Sequence, residues 1–181
     1  MFQPLLAKLS EGFENQKIPY MIIGGQAVLI YGEPRFTKDI DVTLGVGVER
    51  LPDLLRLVET MGLKVLTPNT TEFVQKTMVL PCQDPASGIR VDIVFSFSPY
   101  ERQAMGRVRR IVLENKEICF ASPEDLIIHK VIAGRPRDLE DIRVVLRKNP
   151  DLDLTYVENW LRDFEKALGQ KLLEVWVNLK N

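Results

Sequence analysis

The chain has 181 residues, 45% of them hydrophobic and 27% charged, with 24 Lys and Arg against 25 Asp and Glu for a formal net charge of -1. That size suits one domain with at most an appendage, and the apolar fraction is enough to build a core. Near-neutrality excludes a basic coat for nucleic acid but leaves room for a local basic patch. The single histidine, His129, excludes a histidine-built zinc centre, and no apolar run approaches the ~20 residues of a membrane span. Cys82 and Cys119 lack metal-ligand spacing and read as buried thiols. Glu11, Glu14 and Lys17 interrupt any signal-peptide pattern, so a reducing cytoplasm is the expected setting.

Residues 3–16 predict an amphipathic helix with Leu5, Leu6, Leu9 and Phe13 on one face. An apolar run, Tyr20 to Ile23, then ends in Gly24-Gly25 and resumes with helix formers, which reads as strand, tight turn and helix start. The helix is expected over 25–31, with Gly32 as its stop. The loop Glu33-Pro34-Arg35-Phe36 leads to a strand over 37–44. Side chains alternate along a strand, so Asp39 and Asp41 share one face while Ile40 and Val42 point into the core. Leu51, Leu54, Leu55, Val58 and Met61 mark a helix face that Gly62 terminates, and 63–66 is a short extended piece.

Residues 72–80 and 89–96 read as two strands joined by the turn-rich Gln83-Asp84-Pro85-Ala86-Ser87-Gly88. Asp92 lies in the second, flanked by apolar residues. Such an acid sits either at a solvated edge or, if its strand neighbours the one carrying Asp39 and Asp41, in one cluster with them. Pro99 to Met105 suits one or two turns of helix. Residues 108–113 and 117–120 suggest a hairpin around Glu114-Asn115-Lys116. Ser122-Pro123-Glu124-Asp125 is a helix start, with a serine cap and proline in the first turn; that helix carries Leu126, Ile127, Lys130 and Val131. A second helix is expected over 137–147, ended near Asn149-Pro150, and one last helix from Thr155 onward through Leu172, Leu173 and Trp176. The fold class is α/β (α+β), a mixed sheet followed by helices. The expected organisation is a domain over 1–150 with a C-terminal helical extension, 151–181, packed on it.

The chemistry concentrates near Gly24-Gly25 and the acidic strand. Two carboxylates on one strand face repel each other, and burying them is costly unless a cation sits between them. A glycine-ended strand feeding a helix offers backbone N–H groups and a positive helix end, which suit a phosphate. Metal beside phosphate points to phosphoryl or nucleotidyl chemistry. Thr37 adds a hydroxyl donor at the cluster, and Arg35 or Lys38 offsets phosphate charge. Asp138 and Asp141, each a helical step from Arg135 or Arg137, are accounted for by intrahelical pairs, and His129 by packing or surface exposure. Arg102, Arg107, Arg109 and Arg110, with Lys116, form the densest positive stretch. Arg107 and Arg109 would share a strand face, which suits either a solvated face or a track for nucleic-acid phosphates. No aromatic residue interleaves with them, so single-strand stacking is not indicated there.

Gly24-Gly25, Arg35, Thr37, Asp39-Ile40-Asp41 and a later strand with Asp92 together resemble the DNA-polymerase-β-like nucleotidyltransferase superfamily. The continuation, Asp125-Leu126-Ile127-Ile128-His129-Lys130 and Arg137-Asp138-Leu139-Glu140-Asp141, is most similar to its AbiEii/AbiGii toxin-type branch. The resemblance implies the nucleotidyltransferase fold and a metal-dependent transfer of a nucleoside monophosphate from an NTP to a hydroxyl. Asp39, Asp41 and Asp92 would hold two magnesium ions, about 3.5–4 Å apart in such sites, with Asp92 accepting the hydroxyl proton. Gly24, Gly25, Arg35, Thr37 and Lys130 would bind the nucleotide. The toxin branch further implies an RNA (tRNA-like) or protein acceptor and a protein antitoxin. Transfer to an antibiotic or other small-molecule hydroxyl is an alternative, and a non-catalytic binding module with the same fold is another.

Overall fold

The computed structural model describes residues 2–96 and 98–180. The acidic strand, β2 (Asp39–Leu44), lies at the centre of the sheet. Ile40, Val42 and Leu44 are fully buried, and the alternate positions Asp39 and Asp41 are only half-buried, as period-two alternation demands. On one side β2 pairs antiparallel with β1 (Tyr20–Ile23), with Ile23 opposite Asp41. On the other it pairs parallel with β5 (Arg90–Phe95), with Asp39 opposite Arg90 and Asp41 opposite Asp92. Residues facing each other across a ladder share a face, so this register places the third carboxylate beside the first two.

The sheet extends from β5 through β4 (Val79–Gln83) to the short β3 (Lys64–Val65), both antiparallel additions. Past β1 it continues with β7 (Lys116–Phe120), parallel, and β6 (Arg109–Leu113), antiparallel to β7. Among the described residues this is one seven-stranded mixed sheet in the order β3-β4-β5-β2-β1-β7-β6. The expected hairpin of β6 and β7 turns at Glu114 and Asn115, with φ 48° and 64°. Two successive left-handed residues match the twist of the strands they join.

The N-terminal helix, α1 (Phe2–Asn15), buries Leu5, Leu6, Leu9 and Phe13 as its periodicity predicts. α2 (Gly24–Tyr31) follows β1 directly, and α3 (Leu51–Thr60) follows a single 3-10 turn. The expectation of a strand over 72–80 is overturned: α4 (Thr70–Thr77) occupies most of it, and only from Val79 does the chain pair with β5. Threonine, Phe73 and Val74 favour a strand locally. Only Val74 is buried, however, and Glu72 pairs with Lys76 at 2.7 Å one helical turn on, a pattern a strand cannot use. Left-handed Met78 (φ 60°) then redirects the chain into β4.

After α5 (Pro99–Met105), a capping box of Ser98 and Glu101 at its start, the remaining elements are α6 (Pro123–Ala133), α7 (Pro136–Lys148), α8 (Leu154–Leu168) and α9 (Leu172–Lys180). The single last helix expected from Thr155 is two helices, broken at left-handed Gly169 (φ 67°). α6 packs on α2, α7, α8 and α9. One contiguous apolar core runs from Leu5 to Leu179 and includes Trp176, which is completely buried. Cys82 and Cys119 are free and buried. No helix of the described residues is long and apolar enough to cross a membrane.

Candidate active site

The glycine pair is shaped by the acidic strand packed against it. Gly24 opens α2 in the left-handed region (φ 63°), and a Cβ built on it would run into the Asp41 carboxylate. A Cβ on Gly25 would strike the Thr37 hydroxyl. The two glycines are therefore required by close approach as well as by the turn. Thr37, itself buried, donates from Oγ1 to Asp39 Oδ1 at 3.2 Å, and the Gln26 amide donates to the Asp39 carbonyl at 3.3 Å. These contacts tie the start of β2 to the first turn of α2. The first turn of α2 and the carboxylates of the strand consequently border the same space.

That space is a cleft of about 430 Å³. Gly24, Gly25, Thr37, Asp39, Asp41 and Asp92 line it together with Arg35, Phe36, Lys38, Lys130, Arg135, Arg137 and Asp138. All the residues expected to bind nucleotide or metal thus come together. Burial pushes the Asp41 carboxyl up to about 6, with the nearby Asp39 and Asp92 charges adding to the effect and Arg135 and Lys130 opposing it. An all-oxygen, acidic donor set of this kind suits magnesium. Asp92 is the outlying member: Arg90 Nε donates to both of its oxygens, at 2.8 and 3.0 Å. Among the described residues no three carboxylates converge closely enough to hold one ion in this arrangement. The register of β2 and β5 nevertheless puts Asp92 one strand from Asp41 on the same face.

Bordering the cleft is a buried ionic lattice between α6 and α7. Lys130 Nζ donates to Asp138 Oδ1 at 2.8 Å and to Asp141 Oδ2 at 2.7 Å, with all three side chains at least nine-tenths buried. Arg35 Nε lies 3.1 Å from Asp141 Oδ1, and Arg135 Nε donates to Asp138 Oδ2 at 2.7 Å. Burial alone would raise the Asp138 carboxyl; hydrogen bonds from Arg135 and Lys130 hold it below its ordinary value instead. Intrahelical pairing, the reading given to Asp138 and Asp141, thus covers only part of their contacts. Asp138 does pair with Arg135, but both acids turn inward, and their common partner, Lys130, comes from another helix. Lys130 faces the cleft with its charge already engaged.

The basic stretch around the start of β6 is divided. The Arg107 guanidinium stacks over Tyr156, 4.0 Å from the ring centroid, and approaches Glu124 at 3.4 Å and Asp125 at 3.9 Å. Arg109 is exposed on β6, and Arg110 pairs with Glu117 at 3.2 Å. Arg107 and Arg109 accordingly do not form one open stripe. His129 has its Nε2 buried without a hydrogen-bond partner among the described residues, and burial lowers its pKa. Sequence reasoning missed three groups at the cleft. Arg137 donates to the Phe36 carbonyl at 2.6 Å; Phe36 stands 73% exposed at the rim beside Lys38; and Arg90 holds Asp92. The Arg90 pairing had a signal, since two residues apart on a strand means the same face.

The profile of the nucleotidyl transferase AbiEii toxin family, of type IV toxin–antitoxin systems, matches residues 5–175. No curated protein is significantly similar in sequence. Among solved structures, ANT(2'')-Ia in complex with adenylyl-2''-tobramycin superposes with a TM-score of 0.62 at 18% identity, over 91% of this chain and 97% of that one. An antigenic nucleotidyltransferase-like protein from Paracoccidioides brasiliensis gives 0.56 at 17% identity, over 94% and 91%. The lincomycin-bound lincosamide antibiotic adenylyltransferase LnuA gives 0.53 at 17% identity, over 76% and 91%. At these identities the likeness is one of fold.

Proposed function

Because the chain belongs to the AbiEii nucleotidyltransferase toxin family, we propose that it is a metal-dependent enzyme moving a nucleoside monophosphate from an NTP to a hydroxyl of RNA. Nucleotidyl transfer itself comes with the family, which sets aside the non-catalytic module. The observation that carries the metal-dependent reading is the gathering of Asp39, Asp41 and Asp92 on one face of β2 and β5, with the Asp41 carboxylate packed against Gly24. Like charges are gathered there with too little water to screen them, and a divalent cation is the natural counter-charge. Asp39 and Asp41 would hold two magnesium ions between them, and Asp92, released from Arg90, would complete the shell of one. Bound there, the ions supply charge stabilisation for the attacking and leaving oxygens of an in-line displacement.

The chain's own residues do the rest. The N–H groups at Gly24 and Gly25, with the positive end of α2 behind them, receive the β- and γ-phosphates. Arg35, Lys130 and Arg135 hold their charges on the same side through Asp138 and Asp141, presenting a fixed positive wall to the triphosphate. Thr37 keeps Asp39 in place. The acceptor hydroxyl lies by Asp92, which takes its proton as the oxygen bonds to the α-phosphorus. The α–β phosphoanhydride bond then breaks, and pyrophosphate leaves toward the glycine turn. A protein antitoxin belongs to the same reading, through the family's toxin–antitoxin setting.

The test is transfer of label from each α-labelled NTP, with magnesium, to total RNA and separately to small-molecule acceptors such as lincosamides and aminoglycosides. Label on RNA is expected, with loss of at least about 10²-fold in Asp39→Asn and Asp41→Asn, as for other groups that act directly in the transition state. Label on the small molecules alone would replace the RNA reading with the antibiotic one. Undiminished turnover in both variants would remove the metal-carboxylate mechanism.

A further inference from the structure

Arg90 occupies the same face of β5 as Asp92 and lies beside Asp39 in the register of β2. Of the five cations that line the cleft, Lys38 lies over the Phe36 ring, 5.9 Å from its centroid, and the other four are anchored by groups that the transfer does not consume. Lys130 is held by Asp138 and Asp141, Arg35 by Asp141, Arg135 by Asp138, and Arg137 by the Phe36 carbonyl. Arg90 differs. Among the described residues its hydrogen-bond partner is Asp92 alone, through both carboxylate oxygens. Its charge is thus balanced by the one cleft carboxylate that must change partners when metal arrives. The Arg90 side chain is 54% exposed, so little packing opposes its movement, and an ion pair so exposed to water is weak beside a divalent cation.

Resting on the reading of Asp92 as a metal ligand, we propose that Arg90 is a two-position residue that sets the acceptor class. It covers Asp92 in the metal-free protein and, once Asp92 turns to the metal, its guanidinium takes a phosphate of the acceptor strand. The attacking hydroxyl is expected at Asp92, so the freed guanidinium stands next to the acceptor. A planar fork of N–H donors matches phosphate oxygens in pairs. A polynucleotide carries a phosphate beside each ribose hydroxyl, whereas an amine-rich antibiotic would bring positive charge against Arg90. The same residue thus favours nucleic acid and disfavours cationic small molecules.

Two binding measurements on the full chain without NTP test this, with Arg90→Ala and, as a second variant that keeps a long polar side chain, Arg90→Gln. Mn²⁺ binding followed by electron paramagnetic resonance should tighten about two- to fivefold in both variants, since Asp92 is no longer engaged. Anisotropy of a fluorescent single-stranded RNA over a KCl series should show, in magnesium, a salt slope smaller than wild type by about 0.7, one phosphate contact on a single strand. In EDTA, where Arg90 is still bound to Asp92, the slopes should agree. Unchanged Mn²⁺ affinity in the variants, or slopes that match wild type in magnesium, would overturn the role of Arg90. A wild-type chain that binds no Mn²⁺ would overturn the metal reading beneath it, which the same titration distinguishes.

Discussion

Asp41 meets two opposing demands. It must be ionised to serve a metal, yet it is pressed on Gly24 and shares its face with Asp39 and Asp92. Its carboxyl titrates near 6 in the folded chain against an ordinary value of 3.8. The folded state therefore holds the proton more tightly than the unfolded one. Stability from this group is greatest at low pH, falls as pH rises from about 4 to about 6, and stays reduced above that. Asp41→Asn carries no such liability. In EDTA its melting temperature relative to wild type should climb across about pH 4 to 6 and then level off, at a gain of about 2–6 °C for a chain of this size. A difference that does not vary with pH would show that Asp41 is not the strained group. Magnesium with NTP should raise the wild-type melting temperature and leave Asp41→Asn nearly unmoved.

Between elements, the decisive contact is Lys130 of α6 with Asp138 and Asp141 of α7. Removing one partner of a buried ionic group leaves an uncompensated charge, which typically costs about 3–5 kcal/mol. Lys130→Met should lose stability on that scale by urea denaturation, and adding Asp138→Asn with Asp141→Asn should recover a large part of it. A loss below about 1 kcal/mol, or no recovery, would mean that the lattice is not a coupled unit. This contact also marks how far the sequence could be read. Asp39 and Asp41 were legible because strand alternation is a local rule, and Ser122-Pro123 because capping is local. That β5 pairs with β2, bringing Asp92 beside Asp41, and that α7 turns its acids toward Lys130, are facts of tertiary packing. The spacing of Asp138 and Asp141 fits a solvated helix face equally well. Residues 72–80 failed for a related reason: local strand preference in Phe73 and Val74 lost to a helix with one buried side chain and a lysine–glutamate pair.

Across the whole molecule, the helices after Pro150 bear on the site through α6. Tyr156 of α8 donates its hydroxyl to Asp125 Oδ1 at 2.8 Å, and Asp125 is completely buried at the start of α6, also bonded to Ser122 at 2.6 Å. Glu124 accepts from the Asp153 amide at 3.1 Å, and Arg107 lies stacked on Tyr156. The same helix carries Lys130 five residues on. If residues 151–181 are an extension of a domain over 1–150 rather than an independent unit, their loss strips Asp125 of a partner and uncovers the apolar side of α6. Both tryptophans, Trp160 and Trp176, lie in that segment. Tryptophan fluorescence therefore reports the extension, while far-ultraviolet circular dichroism reports the whole chain. In urea the two transitions should coincide, the signature of one cooperative unit. A chain ending at Pro150 should lack a cooperative transition altogether. Tyr156→Phe, which leaves Asp125 short of one donor in the interior, should lower the common midpoint by the equivalent of about 1–3 kcal/mol and keep the two probes together. A fluorescence transition at distinctly lower urea, with the remaining dichroism intact, would instead make the last helices a detachable layer, and the lattice around Lys130 would then have to stand without them.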